Sequence, residues 1–345
     1  MKNLKFIGLV LAAALTAPSL ASAEYKILER IKVGDGGFDY ATFDPATNRV
    51  YMTRTAYTTV IDVKTNKASQ LANAAPGHMA LPIPGTSLVL LPQRKGSINN
   101  GDQGTIRIVD TATEAVLADL PGGTNPDGAV YDPFSKLVFV MNQLSGEATV
   151  VDAIGKKVVA TIKVPGKLEF PATDGAGKVY VVDESVPNTN IAVMDAKTFT
   201  AAPNRYPLQG CVEATGLAYV ASSKLLVASC KNEMAKVLEA ATGKEIASIK
   251  IGKGPDAVLY DATRQLVFIP CGIEGVLEVI SVADPSKIAV VQRLPTQTGS
   301  RTGTIDPATG RLYLMASKPD LAAVTPPGGF PPRLAGSFEV LVVAP

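Results

Sequence analysis

Apolar and polar positions alternate with a period of two through most of the chain, in short runs punctuated by turn residues, and this pattern predicts strands rather than helices. In "NPDGAVYDPFSKLVFVMN", residues 125–142, a turn leads into an alternating strand, an Asp-Pro turn and a second, more continuous apolar strand. Nearly the same words return as "GPDAVLYDATRQLVFIPC", residues 254–271. Five further copies read "FDYATFDPATNRVYMTR", "HMALPIPGTSLVLLPQ", "EFPATDGAGKVYVVD", "TGLAYVASSKLLVASC" and "RTGTIDPATGRLYLMA". Their turns, near Asp44, Pro84, Asp132, Asp174, Ala221, Asp261 and Asp306, lie between 40 and 48 residues apart, the period of a four-stranded propeller blade. A lone hairpin buries too little apolar surface to be stable, so the seven copies must pack on one another.

A third apolar run ending in an acid follows most hairpins, as in "TVIDV", "IRIVDT", "TVVDA", "AVMDA" and "KVLEA", with "LEVISV" and "FEVLVV" divergent. A fourth comes next, such as "KKVVATIKV". The acids Asp62, Asp110, Asp152 and Asp195 head short turns, where a carboxylate accepts nearby backbone N–H groups, so they are expected to be structural. After "FEVLVVAP" no fourth strand remains, whereas "YKILERIKV", residues 25–33, is a strand with no hairpin of its own. Its expected place is the outer edge of the seventh blade, which closes the ring and removes its exposed edges. The expected fold is therefore an all-β, seven-bladed propeller.

At this level of detail the chain resembles the YVTN-repeat β-propellers, also called YncE-like. "YMTR", "FVMN" and "YVVD" stand for the second-strand motif, and "VIDVKT", "IVDTAT" and "VMDAKT" for the third. The resemblance covers residues 24–345 and implies the fold. It leaves function open, because such propellers include periplasmic binding proteins, surface-layer proteins and non-catalytic subunits of amine dehydrogenases.

The first 23 residues alter the picture of where the protein works. "MKNLKFIGLVLAAALTAPSLASA" joins a basic start to a short apolar core and a small-residue end, the pattern of a secretory signal peptide cut before Glu24. The expected organisation is a leader over 1–23 and one propeller domain over 24–345, periplasmic or secreted and monomeric. No later stretch is apolar for long enough to span a membrane. Loss of Lys2 and Lys5 brings the 33 basic residues level with the 31 acidic ones. That balance gives no whole-molecule field for nucleic acid, and no nucleic-acid partner is expected.

Candidate chemistry sits where the seven copies differ on one face. Four residues before the position of Tyr131, at the mouth of each inner strand, the copies read Asp39, His78, Asp127, Glu169, Thr215, Asp256 and Arg301. His78 is the only histidine. With Asp39 and Asp127 from adjacent blades and Glu169 from the next but one, it is a candidate for holding a divalent metal ion or for acid/base work near neutral pH. Arg301 is the candidate for a substrate carboxylate or a developing oxyanion.

A second ring, at the end of the second strands, reads Arg54, Gln93, Asn142, Asp183, Cys230, Cys271 and Ala316. Cys211 lies in the linker entering the blade of Cys230, and a Cys211–Cys230 disulfide is expected, with Cys230–Cys271 the alternative pairing. Residues 92–104 and 317–336 are insertions expected to rise from the same face, the second carrying Phe330 and Arg333, as contacts for a ligand or a protein partner.

No nucleophile elbow, phosphate loop or HExxH stands in the sequence. The reading is an exported binding or scaffold propeller. The alternatives are an enzyme of the lactonase, lyase or cyclase kind, with His78, Glu169 and Arg301 as its catalytic candidates, and an accessory subunit of a periplasmic redox enzyme.

Overall fold

The computed structural model describes residues 24–54, 56–74, 77–95, 101–324 and 331–345. The leader segment 1–23 lies outside them, as do residues 96–100 and 325–330 of the two insertions, the latter containing Phe330.

Seven antiparallel sheets form, and in six the chain runs from the innermost strand outward. Blade one is Phe38–Asp44, Arg49–Arg54, Thr58–Asp62 and Lys67–Leu71. Blades two to six begin at Leu81, Pro126, Leu168, Ala214 and Leu259. In blade seven Thr302–Asp306, Arg311–Ala316 and Glu339–Ala344 are completed by Lys26–Lys32, with Lys26 opposite Ala344. Two blades depart from regularity: blade two has an inner strand of only Leu81–Pro82, and the outer edge of blade four is split into Thr200–Ala201 and Tyr206–Pro207.

The second strands are continuously apolar because both of their faces are buried. Phe139 and Met141 enter the cluster between blades three and four, while Val138 and Val140 enter the one between blades two and three. Seven such clusters fill the seven junctions between neighbouring blades. Each blade is thus stabilised by the two beside it, which explains why one hairpin is repeated so closely. Toward the axis the packing tightens until backbone meets backbone. A Cβ on Gly216 would lie 2.6 Å from the Asp256 carbonyl oxygen and 2.7 Å from the Val258 nitrogen, so only glycine fits there.

The turn acids do what their positions predict. Asp62, Asp110, Asp152 and Asp195 each accept backbone N–H groups two or three residues on. Asp44, Asp132, Asp261 and Asp306 do the same between first and second strands. All eight lie at the end of the ring opposite the mouth, where they hold turns.

Candidate functional site at the channel mouth

Because the inner strands converge on one axis, residues at equivalent positions in different blades come within reach of one another. Asp39, His78 and Asp127, from blades one, two and three, meet most closely. His78 Nδ1 lies 2.7 Å from Asp39 Oδ2 and 3.6 Å from Asp127 Oδ1. One donor atom from each of the three falls within 4.8 Å of the other two. Asp127 is 4% exposed, and its carboxylate is hydrogen-bonded by none of the described residues. On the far side of the ring, His78 Nε2 is buried with no hydrogen-bond partner among them.

Glu169 does not join this cluster. Its Oε1 accepts the Tyr40 hydroxyl at 2.7 Å, and its Oε2 accepts Gln143 Nε2 at 2.7 Å. Tyr40 belongs to blade one and Glu169 to blade four, nearly opposite in a ring of seven, so the tyrosine lies across the axis. Its ring is 5.0 Å from that of Phe170. The mouth is consequently a well with an aromatic floor. Gln143 also donates to Glu184 Oε1 at 3.0 Å, and Lys167 caps Glu184 from the rim at 2.8 Å.

Arg301 and Asp256 form the remaining wall. Arg301 Nε is 3.3 Å from Asp256 Oδ2, its Nη2 donates to the Phe38 carbonyl at 3.3 Å, and its guanidinium lies 5.4 Å from the Phe38 ring. Arg333 approaches the same ring at 5.2 Å and donates to the Ser317 carbonyl at 3.2 Å. The described stem of the 317–336 insertion is therefore pinned against blade one. Thr215 contributes no free group to the well: buried, its hydroxyl contacts Ser229 and the Pro255 carbonyl.

The second ring has a different occupation in four of its blades, which is to hold in place the segment that enters the blade. Arg54 donates to the Gly34 and Gly37 carbonyls and stacks on Phe338 at 3.6 Å. Asn142 Oδ1 accepts Gly123 N–H, and Asp183 Oδ1 accepts Lys167 N–H. At the equivalent place in blade five the link is covalent, since Cys230 is bonded to Cys211. Cys271 is left free and buried, and burial pushes its thiol up to about 12.

Tyr40, Gln143 and Glu184 belong to the well and are not among the residues singled out from sequence. Each stands one place after a ring position, Asp39, Asn142 or Asp183. At the ends of these strands the next residue along points to the other side, so shifting each ring by one position is the signal that finds them.

Charge inside the well is unbalanced. Asp39, Asp127, Glu169, Glu184 and Asp256 face one guanidinium and one imidazole, with Lys167 and Lys231 at the rim. Burial raises Asp127 to about 7, and Asp39, Asp256 and Glu184 add to the rise while His78 opposes it. Burial likewise lifts Glu169 well above the carboxylate range, helped by Asp127, Glu184 and Asp256. Asp256 is raised by burial against the pull of Arg301. For His78 burial works to lower the value, but Asp127 and Asp39 outweigh it and raise the imidazole to about 9.

No protein-family model matches the chain, and neither does any curated protein sequence. Among solved structures it is similar to Kuenenia stuttgartiensis hydrazine synthase, with a TM-score of 0.71 and 13% identity over 83% of this chain and 94% of that one. It is also similar to a chain in a crystal structure of the mitotic checkpoint complex, with a TM-score of 0.71 and 12% identity over 99% of both chains. At such identities the likeness shows the propeller fold and nothing about activity.

Proposed function

We propose that the protein is an exported binding propeller, with residues 1–23 as a cleaved leader and 24–345 as one domain, and that its channel mouth takes a small cationic ligand. The observation that carries this reading is the excess of buried carboxylates in the well. Buried charge is tolerated when it is paired, and here burial lifts Asp127, Glu169 and Asp256 even with Arg301 and His78 in the well and Lys167 and Lys231 at its rim. A bound cation would supply the missing charge. The Cys211–Cys230 bond supports an oxidising compartment, and among the described residues no helix is long and apolar enough to cross a membrane.

The test is native mass spectrometry of the mature protein freshly isolated from the exporting cell, set beside the same sample denatured. A mass excess that disappears on denaturation, and is absent from Glu169→Gln, is the expected result. A bare mass in both states overturns the proposal.

An acid/base enzyme is the second reading, favoured by the Asp39–His78 hydrogen bond, which orients an imidazole as catalytic histidines are oriented. The nitrogen left for a substrate would be Nε2, which is buried, so binding ranks ahead of turnover. Exposed aliphatic residues on loops of the mouth face, Leu144, Val186, Ile273 and Leu321, favour a protein partner as a further occupant of that face, the role an accessory subunit would need.

A further inference from the structure

We propose that Asp39 Oδ2, His78 Nδ1 and Asp127 Oδ1 form the site of a single first-row divalent transition-metal ion. This deepens the reading of the mouth as a cation-binding well and rests on it.

The geometry carries the assignment in three steps. Donor atoms about 2.1 Å from a common ion lie about 3 to 3.5 Å from each other in tetrahedral or octahedral arrangements. The two separations measured from His78 Nδ1, 2.7 Å and 3.6 Å, bracket that range. Each of the two lies within a few tenths of an ångström of it, and the third separation is no more than 4.8 Å, so small side-chain movements on three separate blades bring the donors to the spacing of an ion.

Second, hydrogen bonding accounts for only part of this arrangement. Nδ1 carries at most one proton, which the 2.7 Å contact with Asp39 uses. Asp127 is then a carboxylate more than nine-tenths buried, aimed at the cluster and hydrogen-bonded by none of the described residues. Its charged contact is the His78 ring at 3.6 Å, too long for a hydrogen bond; a buried carboxylate partnered so weakly is costly, and an ion coordinated by Oδ1 offsets the cost.

Third, the donor set restricts the ion. One imidazole nitrogen with two carboxylate oxygens is too nitrogen-rich for calcium or magnesium, which take oxygen ligands, and lacks the thiolates that select copper(I). Zinc, manganese(II) and iron(II) fit. Three protein ligands leave one or more positions to water or to a ligand in the well, the pattern of open rather than structural sites.

The experiment uses mature protein free of any affinity tag, because His78 is the only histidine of the chain and a histidine tag would mask it. After treatment with EDTA and exhaustive dialysis, Zn²⁺ and Mn²⁺ are titrated separately by calorimetry into wild type, Asp127→Asn and His78→Ala. The expected result is one ion per chain with at least one of the two metals. Affinity should fall by about tenfold or more in Asp127→Asn, since even groups that only support metal ligands are worth that much, and His78→Ala should show no saturable binding. Thermal unfolding in EDTA establishes that Asp127→Asn is folded, with a midpoint at or above that of wild type. No saturable uptake of either ion, or equal affinity in wild type and Asp127→Asn, overturns the metal site. If that happens while an EDTA-resistant mass excess persists and is lost in Glu169→Gln, the mouth still binds a cation and only the metal assignment fails. If neither metal nor mass excess is found, both readings fall.

Discussion

Two rings of polar residues share the mouth face of this propeller, and they differ in whether their needs are met at home. Arg54, Asn142, Asp183 and Cys230 each find a partner in the segment that enters the same blade. Asp39, His78, Asp127, Glu169, Asp256 and Arg301 look across blades, and they face mostly one another or, for Glu169, the neutral Tyr40 and Gln143. Polarity and position would not separate the rings. Satisfaction does: the first is complete without any ligand, whereas the second carries buried charge that the chain itself does not neutralise.

The contrast can be broken by substitution. Replacing Cys211 and Cys230 together by alanine should have the largest effect, about 3 kcal/mol lost for a closed loop of this length, read as a lower midpoint in denaturant. Asn142→Ala should cost about 2 kcal/mol, because the Gly123 N–H loses its acceptor in a buried place, and the same titration measures it. Asp127→Asn should cost nothing in the chelated protein and should raise its melting temperature at pH 8. If Asp127→Asn proves as damaging as Asn142→Ala, the two rings are alike and the distinction is wrong.

A smaller effect sharpens the comparison further. Groups whose folded values are raised bind protons more tightly in the folded state, so their contribution is complete below the unfolded value and is lost as pH rises through the folded one. For Asp127 the loss runs from the ordinary carboxylate range, about 4, to about 7. For His78 it runs from about 6.5 to about 9. The melting temperature of chelated wild type should therefore fall steadily between pH 5 and pH 9. In Asp127→Asn the slope below pH 7 should be shallower, whereas in Asn142→Ala it should match wild type.

Much of this was legible in the sequence. Seven hairpins at a blade-like period, with an unpartnered strand at residues 25–33, lead directly to seven sheets and to the closure of the last by Lys26–Lys32. The equivalence of the copies also locates the mouth ring, because alternation along a strand fixes which residue faces the axis. What stays hidden is which ring members meet. His78 reaches Asp39 and Asp127, and Glu169 instead bonds to Tyr40, because an aromatic side chain from blade one spans the channel and takes its carboxylate. Side-chain reach across a curved ring leaves no periodic trace. The same limit applies to Gln143 and Glu184, whose roles depend on loops between second and third strands rather than on the strands that repeat.

The pairing of Lys26 with Ala344 also bears on how the order of the chain could be rewritten. With Lys26 and Ala344 opposite each other on adjoining strands of one sheet, a short flexible linker could join the chain ahead of Lys26 to Pro345 without crossing the ring. The polypeptide could then be opened at an exposed turn such as Ser286–Lys287, giving a circular permutant in which blade seven is covalently continuous and the new gap falls in blade six. Closure by strand exchange would have moved to a new seam, and the well, built from inner strands alone, would keep all of its groups.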